Sequence, residues 1–385
     1  MATAVGTLIS APLWVNSRPF PLLPVGDRMP ILASPWDACL FVATLLALVL
    51  ALRFYRLGVR LFLAGALWLV IQDQNRIQPW FYLYAVLLFL TLFREPVALA
   101  GCRFTVSAVY LWSGIQKLNP IFFHFVAPWF VEPFAGWAHG SVAPALRFAA
   151  SASPFLEILI GLTMWIPQGR RLAIGLAMAF HAVVLLCLGP LGHNYNAVVW
   201  PWNVAMAVLV WALASRVPPR ETINALRNSW LAGITVILVC GMPAFSFSGS
   251  WDSYLSFAYY SGNGTVASIY VSRPFRDRLP PGLQAFFKPN VDMHVPEAEG
   301  PYLLDHTAWG LSVLRTPPLP EPRSYKGLVR FLIRKFPGAE DDVRMVLKPK
   351  AGVLSCYRGE RWVGTLEPIP TAQTPPRSSS SPGTR

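Results

Sequence analysis

Charge is scarce in this 385-residue chain, at 13%, and acidic charge scarcer still: 19 Asp and Glu stand against 32 Lys and Arg. A soluble domain carries about twice that share of charged residues, so an ordinary water-facing surface is excluded for much of the chain. Cysteine is sparse too. Cys39, Cys102, Cys187 and Cys240 lie within or at the ends of apolar runs and Cys356 stands alone, with no CxxC pair; neither a disulfide framework nor a thiolate zinc site is expected. There is no HExxH, no phosphate-cradling P-loop and no GxSxG elbow, so the soluble-enzyme classes that those motifs mark are not indicated. No basic stripe with interleaved aromatics accompanies the net charge of +13, and nucleic acid is not an expected partner. The first residues show no basic segment leading into a compact apolar core, so a cleaved signal peptide is not expected either.

What the chain has instead is apolar length: 54% hydrophobic residues and a mean hydropathy of +0.44. The apolar runs are confined to roughly the first 249 residues and fall at 36–52, 57–73, 79–94, 101–117, 153–167, 171–190, 196–215 and 229–247. Eight runs of this kind predict an all-α polytopic membrane protein with about eight transmembrane helices. A ninth stretch, Ile121 to Trp137, is aromatic but holds Pro128 and Pro133; its prolines predict an interfacial or re-entrant segment rather than a span.

Basic residues mark one side of these runs. Arg53, Arg56 and Arg60, then Arg94 and Arg103, then Arg170 and Arg171, then Arg216, Arg220 and Arg227 occupy every second connection, with Arg18, Arg28, Arg76 and Arg147 as exceptions. By the positive-inside rule those connections are cytoplasmic and both termini face outward, to periplasm, exterior or lumen. Residues 1–35 form an N-terminal segment, 36–249 the membrane domain, 250–367 a small outward-facing α/β or α+β domain and 368–385 a Pro- and Ser-rich disordered tail. Within the third part, Thr265 to Ser272 and Val343 to Leu347 read as strands, Gly327 to Phe336 as a short basic amphipathic helix and Gly352 to Thr365 as a hairpin.

The polar residues of the membrane half gather, by this topology, at the outward ends of the runs. Asp73, Asn75, Arg76 and Gln78 lie between the second and third, Lys117 and Asn119 end the fourth, Glu157 sits in the first turn of the fifth, and His193, Asn194 and Asn196 join the sixth and seventh. His181 lies mid-run below them. A polar cavity open to the outside would house such a set. Each residue also has a plainer explanation: Lys117 as a snorkelling amine, Asp73 and Arg76 as a helix-end ion pair, Glu157 as a carboxylate on a helix N-terminus, His181 as a satisfied interior histidine. Trp80, Tyr82 and the rings of Trp129 and Phe130 read as an interfacial belt first and a ring-binding surface second.

Three segments together resemble the membrane part of vitamin K-dependent gamma-carboxylase and the related HTTM proteins, with a more distant similarity to DoxX-type membrane proteins. They are Phe54-Tyr55-Arg56 followed by Asp73 to Tyr84, the run Tyr110 to Pro120, and Pro154-Phe155-Leu156-Glu157 through Phe180-His181. The resemblance places Lys117 where that family has its catalytic lysine, whose neutral amine deprotonates vitamin K hydroquinone on the lumenal face so that the anion can react with oxygen. Gln78 and Pro79 stand where the carboxylase has an assisting histidine, and the large propeptide-binding domain is replaced by a much shorter segment, so glutamate carboxylation is not implied.

The resulting expectation is quinol- and oxygen-linked chemistry at an outward site, with Lys117 as base, Glu157 and His181 beside it as catalytic groups, and Asp73, Arg76, Gln78, Trp80, Tyr82, Asn119 and His193 around the substrate. A lipophilic quinol is the expected cofactor, no metal is expected, and the partners are the lipid bilayer and a protein bound by the C-terminal domain. Two other readings stand beside it: a DoxX-like quinone-associated redox subunit without its own proton chemistry, and a non-enzymatic membrane scaffold. Lys117→Met is expected to cost the fold little if the amine is merely desolvated.

Overall fold

The computed structural model describes residues 1–366 apart from 27–28, 137, 139, 217–223, 228, 292–295, 297–298 and 351–352. The expected disordered tail from residue 368, Arg28 and Arg220 lie outside the described residues. The chain is mostly helical, with one small antiparallel sheet in its last third. The principal helices before the sheet are α1 (Ala2–Ile9), α2 (Ala11–Trp14), α3 (Trp36–Leu50), α4 (Tyr55–Gln72), α5 (Pro79–Leu90), α6 (Glu95–Gln116), α7 (Ala127–Ala135), α8 (Val142–Thr163), α9 (Arg170–Leu188), α10 (Val199–Arg216) and α11 (Trp230–Gly241).

Every one of the eight apolar runs therefore holds a helix, but not every helix has the dimensions of a span. Among the described residues, Tyr55–Gln72, Val142–Thr163 and Pro167–Leu188 are long and apolar enough to cross a membrane, while Trp36–Leu50, Pro79–Leu90, Val199–Ala214 and Trp230–Ser246 are apolar but shorter. At 1.5 Å per residue, a helix of 12 residues such as α5 covers about 18 Å of a ~30 Å hydrocarbon core. Eight spans are thus not supported by length and composition.

Helix α6 has the length but not the hydropathy, and its position explains why. It carries Arg103, Thr105, Ser107, Tyr110 and Gln116, all buried, and it packs against α5, α8, α10 and α11. A helix with that many polar groups survives among apolar ones only by facing protein on all sides. Small residues let its neighbours close in: a Cβ on Gly114 would lie 2.5 Å from the Pro154 carbonyl oxygen of α8, and one on Gly161 of α8 would lie 3.0 Å from the Ser107 carbonyl oxygen. This is the small-residue packing by which membrane helices associate.

One expectation changes, and two segments gain a description. The aromatic stretch expected to be interfacial or re-entrant is helical, with a π turn at Phe122–Val126 continuing into α7, which holds Pro133 in its interior; among the described residues it is not one of the helices long and apolar enough to cross a membrane. The fifth helix starts at Val142 rather than near residue 153 and runs through Pro154. The N-terminal segment, to which the sequence assigned no place, packs on the bundle: α1 lies on α5 and α10, α2 on α3, and Leu13 and Trp14 are fully buried, Trp14 lying against Phe41, Trp80 and Phe81.

In the last third, strands β1 (Val266–Val271), β2 (Phe287–Pro289), β3 (Tyr302–Leu304), β4 (Val343–Lys348), β5 (Leu354–Arg358) and β6 (Arg361–Leu366) form a sheet in the order β2-β3-β1-β4-β5-β6, antiparallel at every pairing. Alternation sets its inner face: Ala267, Ile269 and Val271 of β1 and Val343, Met345 and Leu347 of β4 are buried with Leu328, Val329 and Leu332 of the basic amphipathic helix Pro322–Lys335. The hairpin expected over 352–365 is present, its turn at Gly359 with φ 58°. The sheet part is docked, not dangling. Phe20 packs on Trp309 at 4.7 Å, the Gln78 amide donates to the Pro317 carbonyl at 3.0 Å, and one hydrophobic cluster runs from Trp14 and Phe62 to Ile269 and Leu332.

Candidate functional site

A cavity of about 440 Å³ lies between α6, α7, α8, α9 and α10, within the range of about 300–1,000 Å³ typical of small-molecule sites. Lys117, Glu157 and His181, on three different helices, all line it. Its wall is otherwise almost entirely apolar. That differs from the polar, outward-open cavity expected, since the polar groups are collected at two stations in an apolar chamber.

The first station is built on the C-terminal end of α6. Lys117 is the residue that caps the helix, and its Nζ donates to the Ser113 carbonyl at 3.2 Å, to Ser113 Oγ at 2.6 Å and to Glu157 Oε2 at 2.7 Å. Ser113 Oγ in turn donates to Glu157 Oε1 at 3.1 Å. Lys117 and Glu157 are buried, at 8% and 5% exposure, so the amine is not a snorkelling surface group. The helix-dipole account of Glu157 also fails: with α8 starting at Val142, residue 157 sits about four turns inside the helix.

The second station lies about 10 Å deeper, seven residues before Lys117 along α6 and seven before the end of α9. His181 Nδ1 is 2.7 Å from Asn203 Oδ1, and the Asn203 amide donates to the Val199 carbonyl at 2.7 Å, which fixes its oxygen toward the ring. Nδ1 must therefore carry a proton. In the neutral ring this leaves Nε2 to accept the hydroxyl proton of Tyr110, with which it is in direct hydrogen bond.

Counting donors gives the chemistry of both stations. All three Lys117 N–H groups are engaged, Ser113 and Tyr110 have spent their protons, and what faces the cavity is carboxylate and phenolic oxygen with lone pairs to offer. A ligand head that donates hydrogen bonds is matched by this arrangement, and one that only accepts leaves buried acceptors unpaired. The wall also holds donors: the hydroxyls of Ser153, Tyr259 and Tyr260, and the Trp202 indole N–H, which is buried without a hydrogen-bond partner among the described residues.

The other expected site residues do not line the cavity. Asp73 pairs with Arg18, not Arg76, and accepts from the backbone N–H of Leu23 and Asn75 and from the Asn75 side-chain amide. Arg76, fully buried, donates to the carbonyls of Leu13, Trp14 and Leu69 and to Asn16 Oδ1 at 2.8–3.0 Å. Burial pulls its guanidinium down to about 10, with Asp73 acting the other way, so it stays charged at neutral pH. Gln78 bonds the Asn75 and Pro317 carbonyls. Trp80 is buried against Trp14 and Phe81, Tyr82 packs on Phe257, Asn119 ties the Gln116 and Ser261 carbonyls, and His193 stacks on Trp129 while donating to its carbonyl. Asp73, Arg76 and Gln78 hold the N-terminal and C-terminal segments to the bundle. Sequence reasoning missed Tyr110, Ser113 and Asn203 as site residues, although Tyr110, Ser113 and Lys117 stand at i, i+3 and i+7, one face of a helix.

Among the described residues no group of three or more His, Cys, Asp or Glu side chains is arranged to hold a metal ion. Comparison of the chain with family models, with curated proteins and with solved structures finds no match.

Proposed function

We propose that the chain is a multi-pass membrane protein of the HTTM and gamma-carboxylase type whose cavity binds a lipophilic, hydroxyl-bearing ring compound and takes a proton from it. The observation that carries this reading is the convergence of Lys117, Glu157 and His181 on one apolar cavity of about 440 Å³. A quinol fits the donor count at both stations, the Phe180 and Trp202 rings in the wall offer flat apolar contact, and such a compound would supply the electrons for oxygen when bound. Lys117 acts as the base once the proton it shares with Glu157 has moved to the carboxylate; the amine then accepts the ligand's hydroxyl proton. In this reading the shorter apolar helices complete an eight-span bundle with both termini outward. Cysteines placed at His193 and Ser250 then react with an impermeant maleimide applied outside, and one at Arg170 reacts only after permeabilisation; the reverse pattern inverts the orientation.

A second reading has its own support. The full engagement of the Lys117 ammonium is what a binding site without proton chemistry would also need, as in a DoxX-like quinone-associated subunit. Oxygen uptake separates the two. With a naphthoquinol in detergent solution, the protein is expected to raise oxygen consumption above the protein-free rate and Lys117→Arg to abolish the increase, because a guanidinium does not give up its proton. Equal uptake by wild type and Lys117→Arg rejects the base, and absence of any increase leaves the binding-only reading.

A further inference from the structure

The walls of the cavity are not equally thick. At the ends of the helices near Lys117 it is lined by bulky rings, Phe122, Phe130, Tyr259 and Tyr260. The Trp129–His193 stack, at 4.2 Å, and Tyr195 pack around Tyr260 behind them. Asn196 bonds the hydroxyls of both Tyr259 and Tyr260, so this end is held shut by packing and hydrogen bonds together. On α8 and α9 part of the lining is small instead: Ala149, Ala150, Ala152 and Ser153 on one helix and Ala179 on the other, beside Leu146, Leu156, Phe180, Val183 and Val184. Ala149, Ala179 and Val183 line the cavity and are exposed, Val183 at 53%, which makes this the thinnest part of the wall.

The surface outside this part of the wall is identified by its neighbours. Val142–Thr163 and Pro167–Leu188 are two of the three helices with the length and hydropathy to cross a membrane, and Phe155, Leu159, Leu162, Met178 and Leu186 stand exposed on them. The cleft between α8 and α9 therefore faces hydrocarbon when the helices are in a bilayer. A water-soluble ligand has no route through such a wall. The alanines matter here because each replaces a side chain that would otherwise fill the gap between two lipid-facing helices.

We infer that the ligand enters sideways from the bilayer through the α8–α9 cleft and is an amphiphile, its hydrogen-bond-donating head at the Tyr110 and Glu157 stations and its apolar tail lying in the cleft along Ala149–Ser153 and Ala179–Val183. The inference rests on the reading of the cavity as a lipophilic-ligand site. It adds the side of entry, the position of the tail and the requirement that a tail exist. Glu157 lies one turn beyond Ser153 on α8 and His181 lies between Ala179 and Val183 on α9, so a head at the stations leaves the tail along the small residues of the same two helices.

The test uses the full chain in phosphatidylcholine vesicles and a naphthoquinol carrying a long alkyl tail with a terminal diazirine. After photolysis, labelling that is suppressed by excess tailless naphthoquinol is located by peptide mass spectrometry. The expected result is label on residues 146–153 and 179–184, lost in Ala150→Trp, whose added ring narrows the cleft while circular dichroism and melting show that the bundle is intact. Competed label on residues 122–131 or 254–260 overturns lateral entry and leaves the cavity reading standing. An absence of any competed label overturns both.

Discussion

Lys117→Met destabilises the protein by about 3–5 kcal/mol, and Lys117→Met combined with Glu157→Gln recovers most of that loss. The single change leaves a carboxylate at 5% exposure with its cationic partner removed, and a buried charge that loses its partner costs far more than the pair was worth. The double change removes both charges, and the amide introduced at position 157 keeps a hydrogen bond to Ser113 within reach. Sequence alone suggested that Lys117→Met is cheap, because it could show a desolvated amine but not the acid 2.7 Å away. Unfolding of the three proteins in the same detergent, compared as a double-mutant cycle, reads the coupling directly. A single-mutant loss below about 1 kcal/mol is the behaviour of a solvated surface pair and would remove the buried-station account.

Arg76→Leu is the second large effect, and it is an effect on assembly rather than on chemistry. Arg76 is fully buried and its fork joins three carbonyls and an amide oxygen contributed by α2, the segment after it and α4. Leucine fills the space but takes the donor from the Trp14 carbonyl and Asn16 Oδ1, leaves the Leu13 and Leu69 carbonyls with only Arg18 and the Asp73 N–H, and leaves Asp73 with one cation fewer nearby. The expected cost is about 3–5 kcal/mol, a large share of a typical total of about 5–15 kcal/mol. It should appear as loss of monodisperse protein on size exclusion and as proteolysis near the N-terminal segment. Arg76→Lys is expected to rescue only in part, since an ammonium cannot reproduce the planar fork. Wild-type melting for Arg76→Leu would show that the N-terminal segment is not held in this way.

The two residue sets differ in how far sequence could carry them. Helix positions in the apolar runs were legible because hydropathy is a local property; the early start of α8 was not, because Pro154 and the moderately polar stretch 143–153 read as a boundary although the helix passes through both. Lys117 could be placed from sequence because counting spans puts helix ends on a common side; Glu157 joined it through an assumed helix start near residue 153, whereas α8 begins at Val142, and His181 lies inside α9. The same counting put Asp73, Arg76 and Gln78 there too, and it had no means of seeing that residues 13–23 would claim Asp73 and Arg76 and that Pro317 would claim Gln78. The role of Arg76 depends on α2, whose four residues are too short to carry a periodic signal. Tyr110, Ser113 and Asn203 escaped notice as site residues because uncharged polar groups in apolar helices acquire meaning only from their partners, and those partners lie on other helices.

The most direct test of the central claim, that the Lys117, Glu157 and His181 cavity holds a lipophilic ring compound, is mass spectrometry of small molecules that copurify with the protein in mild detergent, wild type beside a cavity-filled variant. Val109→Trp places an indole into the chamber from α6, where Val109 lines the wall, and leaves every residue of both polar stations in the chain. The account predicts an aromatic, hydroxyl-bearing lipid in stoichiometric amount with wild type and its loss from a folded Val109→Trp protein. The same membrane lipids in the same amounts with both proteins would contradict it.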